Sequence, residues 1–184
     1  MMGIIEVRIH GRGGQGGVTL AELVAHAAIN EGKYAQSMPS FGPERRGAPV
    51  LAFLRVSDRP IRVRTEIKEP DVAVVLDPTL LDIVHPTEDL KNGGIAVINT
   101  KKSAEEIREK YKIDRLALVD AMSIAKEILG RNIVNTTMIG ALLKATGIVR
   151  FESLEKPVKE RFGNALGEKN LQAMKEAYER TKIF

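Results

Sequence analysis

Two short runs, Asp71-Val72-Ala73-Val74-Val75-Leu76-Asp77 and Gly94-Ile95-Ala96-Val97-Ile98-Asn99, limit most tightly what this chain can fold into. Each is apolar almost throughout, without the alternation of a strand wetted on one side, so each is expected to be a central strand covered on both faces. Such a sheet needs helices above and below it, and helical patterns surround the runs. Residues 4–10 read as a first strand. Residues 18–30 follow as a helix with Leu20, Leu23, Val24 and Ala27 on one face and Gly32 placed to end it. Residues 78–90 supply a crossover. Residues 103–111 form a helix with Glu105 and Glu109 on its polar side, 116–120 a further strand, and 121–129 a helix closed near Gly130. The last third is helical: 136–146 ending at Gly147, a segment from Leu154 capped by Ser153, and 166–182 carrying Leu171, Met174 and Tyr178 at helical spacing. Residues 50–56 and 61–67 flank the polar turn Ser57-Asp58-Arg59-Pro60 and read as an antiparallel hairpin. In its second arm Ile61, Val63, Thr65 and Ile67 alternate with charged residues. The expectation is one domain over 1–184: a three-layer α/β/α arrangement with a largely parallel, mixed central sheet and a β-hairpin.

Composition narrows the function. The 184 residues carry 28 Lys and Arg against 24 Asp and Glu, and the resulting charge of +4 is spread along the chain. Nucleic acid is not the expected partner, because binding calls for a clustered basic face or stacking aromatics, and aromatics are only 4%. Cysteine is absent, which removes disulfides, thiol nucleophiles and the usual thiolate ligands of an iron–sulfur cluster. His10, His26 and His85 are scattered rather than spaced as metal ligands, and a lone histidine is more often structural. No apolar run has the length of a membrane span and the first residues lack a signal-peptide pattern, so the expected location is the cytoplasm, with no membrane partner.

After the first strand comes Gly11-Arg12-Gly13-Gly14-Gln15-Gly16-Gly17-Val18-Thr19. A glycine loop between strand and helix lets a ligand approach the main chain, and the N–H groups opening the helix favour an anion. Gly11, Gly13 and Gly16 satisfy G-x-G-x-x-G, but a dinucleotide site also wants an acid about twenty positions on, at the end of a second strand. Tyr34-Ala35-Gln36-Ser37-Met38 offers none. A P-loop wants Lys and Ser/Thr after the last glycine, where this chain has Gly17-Val18, so nucleotide hydrolysis is not expected. Three readings stand: a tight turn whose glycines serve packing, a contact with an anion or a partner chain, and a dinucleotide-binding domain.

Two further segments stand out. Phe41-Gly42-Pro43-Glu44-Arg45-Arg46-Gly47-Ala48-Pro49 is a loop punctuated by Gly and Pro that carries a charged triplet. Its two guanidiniums offer forked donors for carboxylate or phosphate, or pair with Glu44. Val134-Asn135-Thr136-Thr137-Met138-Ile139-Gly140-Ala141 reads as a helix start capped by Asn135 or Thr136, followed by a small residue where a helix can pack closely.

In their order and spacing these segments resemble the gamma subunit, or gamma-type domain, of the pyruvate and related 2-oxoacid:ferredoxin oxidoreductases. The residues that carry the resemblance are 6–16, Tyr34-Ala35-Gln36-Ser37, 41–49, Asp71 with its strand, Asn135-Thr136 and Gly140-Ala141. The resemblance spans nearly the whole chain. It implies a subunit that works with alpha, beta and often delta partners to convert a 2-oxoacid and CoA into acyl-CoA and CO₂ while reducing ferredoxin. It also implies that thiamine diphosphate, Mg²⁺ and iron–sulfur clusters sit on the partner chains, since this chain lacks the Gly-Asp-Gly start of a thiamine diphosphate motif and has no cysteine. No residue of this chain is expected to be catalytic or to bind metal. Gly11, Arg12, Gly13, Gly14, Gln15, Gly16, Glu44, Arg45 and Arg46 are the residues expected to face partners or CoA. The sequence leans to pyruvate over indolepyruvate. Enzymes for 2-oxoisovalerate or 2-oxoglutarate stay open, as does a dinucleotide-binding domain.

Overall fold

The computed structural model describes residues 3–40 and 46–184, and they share one seven-stranded sheet. In chain order the elements are β1 Ile5–Arg12, α1 Gly17–Asn30, β2 Tyr34–Pro39, β3 Pro49–Ser57, β4 Val72–Val75, α2 Leu80–Ile83, β5 Ile95–Asn99 and α3 Ala104–Tyr111. There follow β6 Leu116–Val119, α4 Ala121–Leu129, α5 Asn135–Thr146, a 3₁₀ turn Phe151–Leu154, α6 Glu155–Phe162, α7 Asn164–Arg180 and β7 Lys182–Ile183. The strand order is β2-β3-β1-β4-β5-β6-β7. Strands β1, β4, β5 and β6 run parallel, while β2, β3 and β7 each lie antiparallel to their neighbours. The sheet is therefore mixed with a parallel centre, as expected, and only β3 and β7 run against the other five strands.

The two apolar runs are central strands, as expected. Val72, Val74, Ile95 and Val97 face the larger core, built with α1, α4, α5 and α7, whereas Val75, Ala96 and Ile98 face a smaller core under α2 and α3. Alternation along a strand sends successive side chains to opposite faces, so only a continuous apolar run can fill both cores at once. The helix limits follow local chemistry. Ser103 opens α3 through a reciprocal capping box with Glu106, and Gly130 and Gly147 close α4 and α5 in the left-handed conformation. No helix among the described residues is long and apolar enough to cross a membrane.

Residues 61–67 do not form the second arm of a hairpin. Strand β3 already has β1 on one edge and β2 on the other, so no edge is free to receive them. The hairpin is instead β2–β3. The alternating segment crosses the small-core face as an irregular strap, with Ile67 buried beneath it. What holds the strap is a polar layer on β1 and β3: the Arg55 guanidinium donates to the Thr65 carbonyl at 2.8 Å, and Arg8 donates to the Lys68 carbonyl at 2.8 Å. Arg55 also pairs with Glu6 at 2.8 Å, and Lys91 bridges Glu6 and Asp71. Buried guanidiniums demand acceptors, and an extended strap supplies carbonyls that a paired strand would have spent on its ladder.

Two helix starts also differ from expectation. Ser153 does not cap α6; its hydroxyl donates to Glu31 at 2.7 Å, which also accepts from the Arg150 backbone. Neither Asn135 nor Thr136 caps α5, because both lie inside it and are buried: Thr136 donates to Asn170 of α7 at 2.6 Å, and Asn135 reaches the glycine loop. The close packing expected of Gly140 is present. A Cβ there would collide with the Met174 carbonyl of α7, so the two helix backbones touch. In a free helix Gly→Ala gains about 1 kcal/mol, whereas overpacking a tight contact costs about 1–3 kcal/mol or more. Gly140→Ala is therefore expected to lower the stability measured by urea unfolding, and a variant as stable as the wild type would mean that α5 and α7 stand further apart.

Candidate functional site

Helix α1, which follows β1, packs on the large-core face, and α2, which follows β4, packs on the other. Neighbouring parallel strands whose connections leave in opposite directions open a crevice at their carboxyl ends, the usual ligand position in an open α/β sheet. Here that place is taken by the glycine loop.

The loop is built by its own residues. The Arg12 N–H donates to the Gln15 side-chain oxygen at 2.7 Å, and the Gln15 N–H returns to the Arg12 carbonyl at 2.9 Å. Gly16 then turns into α1 with φ 78°, and no side chain caps that helix among the described residues. Its first-turn N–H groups are thus left to the crevice. Gly16 is required twice over, by its left-handed backbone and by Asn135, whose amide lies where a Cβ would project and donates to the Gly16 carbonyl at 3.3 Å.

Arg12, expected to face partners or CoA, lays its partly exposed guanidinium across the crevice. Its guanidinium meets Asp77 at 2.7 Å, the Thr79 hydroxyl at 2.7 Å and the Gly47 carbonyl at 3.0 Å. Burial raises the Asp77 carboxyl, but the Thr79 hydroxyl and backbone N–H and the Arg12 guanidinium outweigh it, so its pKa lies below the ordinary aspartate value.

The structure brings the two sequence-marked segments together. Gly13 donates to the Ala48 carbonyl at 2.8 Å, and Gly47 donates to the Gly13 carbonyl at 3.1 Å. A parallel bridge pairs Gly13 with Arg46, which is exposed beside Gly14. Glu44 and Arg45 lie outside the described residues. Beyond the loop, Gly14, Gln15, Gly16 and Asn135 line a cavity of about 200 Å³ with Arg131 and Arg161, which have no ion-pair partner among the described residues. Sequence reasoning missed Asp77, Thr79, Arg131 and Arg161 as parts of this region. Asp77 alone carried a signal, as a charged residue closing a wholly apolar strand.

The dinucleotide reading loses its geometry here. The strand after α1 is β2, at the sheet edge with β3 between it and β1, so the end of β2 lies about 10 Å from β1 rather than beside it.

These features define a layered α/β domain with a glycine loop at its switch point. The chain belongs to the pyruvate ferredoxin/flavodoxin oxidoreductase family, whose model matches residues 6–180. It is 57% identical over 183 residues to the pyruvate/ketoisovalerate oxidoreductases common subunit gamma of Thermococcus kodakarensis, covering 98% of this chain and 99% of that one. It is 49% identical over 179 residues to the pyruvate synthase subunit PorC of Methanothermobacter marburgensis, covering 97% and 98%. The crystal structure of the pyruvate oxidoreductase subunit PORC of Thermotoga maritima superposes with a TM-score of 0.88 at 38% identity, covering 99% of both chains.

Because Arg12 joins three elements, Arg12→Ala is expected to cost about 1–3 kcal/mol near neutral pH. The Asp77 pKa is lowered on folding, so its contribution is full above the unfolded aspartate value and is lost as pH falls through the folded one. Denaturation curves of wild type and variant should therefore converge in acid, below the ordinary aspartate range. A gap that stayed constant into strong acid would show that Asp77 is not the partner that matters.

Proposed function

We propose that the chain acts as the gamma subunit of a multi-subunit pyruvate or related 2-oxoacid:ferredoxin oxidoreductase, and that it completes a site built on other chains. The enzyme would convert a 2-oxoacid and CoA into acyl-CoA and CO₂ and reduce ferredoxin. The observation that carries this reading is the joining of the glycine loop to the Arg46 segment at the switch point, in a chain that matches gamma subunits over nearly their full length. The continuous sheet from β2 to β7 supports treating 1–184 as one gamma-type domain.

In this reading alpha, beta and delta subunits hold the thiamine diphosphate, Mg²⁺ and iron–sulfur clusters, and the assembly works in the cytoplasm. The side chains here do not suit those groups: cysteine is absent, and no cluster of His, Asp and Glu among the described residues could hold a metal ion. What suits the crevice instead is an anion. The start of α1, which no side chain among the described residues caps, Arg131 and Arg161, which have no ion-pair partner among them, and the exposed Arg46 favour a partner's carboxylates or the phosphates of CoA. Arg45 and Glu44 belong to the same proposed surface through their neighbour Arg46.

The purified chain alone is expected to be colourless and to reduce no dye with pyruvate or 2-oxoisovalerate, while adding the partner subunits restores turnover. Sustained 2-oxoacid-dependent reduction by the single chain would overturn the reading. The arginine surface has its own test. If both arginines serve a partner or CoA rather than this fold, Arg45→Ala/Arg46→Ala should change the stability of the isolated chain by no more than about 1 kcal/mol. In the complex, losing partners from a desolvated charged contact should weaken assembly or CoA binding by about 2–5 kcal/mol. A variant that melts early yet assembles normally with an unchanged KM for CoA would make these arginines structural.

A further inference from the structure

Strand β2 closes one side of the sheet, with β3 on its inner edge and no strand among the described residues on its outer one. Two bonds fix which of its main-chain groups face outward. The Ser40 N–H donates to the Leu51 carbonyl at 3.0 Å, on the β2 side of β3, and the Gly13 N–H to the Ala48 carbonyl at 2.8 Å, on the β1 side. Carried along the register, this alternation makes Tyr34, Gln36 and Met38 the residues that exchange bonds with Ser57, Arg55 and Phe53. The N–H and carbonyl groups of Ala35 and Ser37 therefore point away from the sheet. Pro39 falls in the same set, the position where a strand tolerates a residue without an N–H.

Open edges are ordinarily guarded by charge, by a bulge or by being short. The far edge of this sheet obeys the rule, since β7 is two residues long and carries Lys182. Strand β2 does not. Charged residues make up 28% of the chain, yet Tyr34-Ala35-Gln36-Ser37-Met38-Pro39 has none, and its register with β3 is continuous throughout. Its side chains also follow nearly the same order in either direction from Gln36: small Ala35 and Ser37 first, bulky Tyr34 and Met38 beyond them. Ala35 packs on the larger core, while Gln36 accepts from Arg55 at 3.2 Å on the strap face, so Tyr34, Gln36 and Met38 share that face. Tyr34 is 48% exposed.

We infer that β2 pairs antiparallel with the β2 of a second copy of this chain, about a two-fold axis at Gln36. In that register the Ala35 N–H meets the Ser37 carbonyl of the second copy, the Ser37 N–H meets its Ala35 carbonyl, and the axis repeats both bonds. Tyr34 comes opposite Met38 of the second copy, an aromatic–thioether pair, and Gln36 opposite its own counterpart. Pro39 lies just past the ladder. Centring the pair on Ser37 instead sets Pro39 against Ala35 and leaves the Ala35 carbonyl without a donor. A strand that pairs with itself must be free of charge near the axis, because a charge there meets its like, whereas pairing with a different strand makes no such demand. The contact is smaller than a standard interface, so the dimer forms in a concentration-dependent way.

The test uses the full chain. Sedimentation over rising concentration should show a monomer–dimer equilibrium. Ser37→Pro, which removes an outward N–H that β3 does not use, should raise the dissociation constant about tenfold or more and leave the melting of the monomer near that of the wild type. Amide exchange followed by NMR gives a second readout: Ala35 and Ser37 should become protected as the dimer fills, while Gln36 and Met38, bonded to β3, are protected at every concentration. A chain still monomeric at about 1 mM overturns the inference, as does a dimer indifferent to Ser37→Pro or an exchange rate of Ala35 and Ser37 that ignores concentration. Protection of these two amides that appears only on adding partner subunits would give the edge to another chain's strand and overturn it equally. If Ser37→Pro does not fold, the wild-type exchange rates decide the matter.

Discussion

The Arg12–Asp77 contact is the interaction on which the crevice depends. A glycine loop is by nature loose, since glycine loses more backbone freedom on folding than any other residue. Here the looseness is removed by one guanidinium that ties the end of β1 to the end of β4 and to the segment leading into β3. Asp77 and Thr79 form a small closed turn of their own, so the acceptor is rigid before Arg12 arrives. The loop can then keep its remaining N–H groups directed outward, because the arginine rather than a capping side chain fixes the entry to α1.

The opposite face of β1 follows a different logic. Glu6, Arg8 and His10 follow one another on the side that ordinary sheet packing would fill with aliphatic residues, and the charges are met by a strap of main chain instead of a helix. The molecule thus has a hydrophobic half under α2 and α3 and a hydrogen-bonded half under residues 58–70, divided along β1 and β4. That division keeps a cavity open where a helix would have closed it.

Much of this was legible in the residues themselves. The apolar runs, the glycine stops of α4 and α5 and the turn at the glycine loop are local in origin, and each appears where its chemistry placed it. The features that escaped are those whose partners are distant. The Arg12 contact with Asp77 escapes the sequence because the two lie 65 positions apart. Asn135 and Thr136 read as caps because nothing nearby reveals that α5 is buried on every side, between α1, α4, α7 and the sheet. Residues 61–67 alternate like a strand, but pairing depends on a free edge, and β2 had taken it. The joining of Gly13 to residues 46–48 falls in the same class: both segments stood out by composition, and only the sheet register makes them neighbours.

The placement of β3 between β1 and β2 also bears on the order in which the molecule assembles. Strands β1, β4, β5 and β6 with their helices form a continuous parallel block, whereas β2 joins its sheet only through β3 and otherwise packs on α1. The β2–β3 ribbon is closed by near-neighbour pairing, and near-neighbour contacts form faster than distant ones. It is therefore expected to form early and to dock on the edge of β1 and on α1, and a partial opening that lifted it away would leave β1, β4, β5 and β6 paired with one another. Because Gly47 and Ala48 lead into that ribbon, such an opening would separate the two halves of the crevice while most of the sheet remained folded.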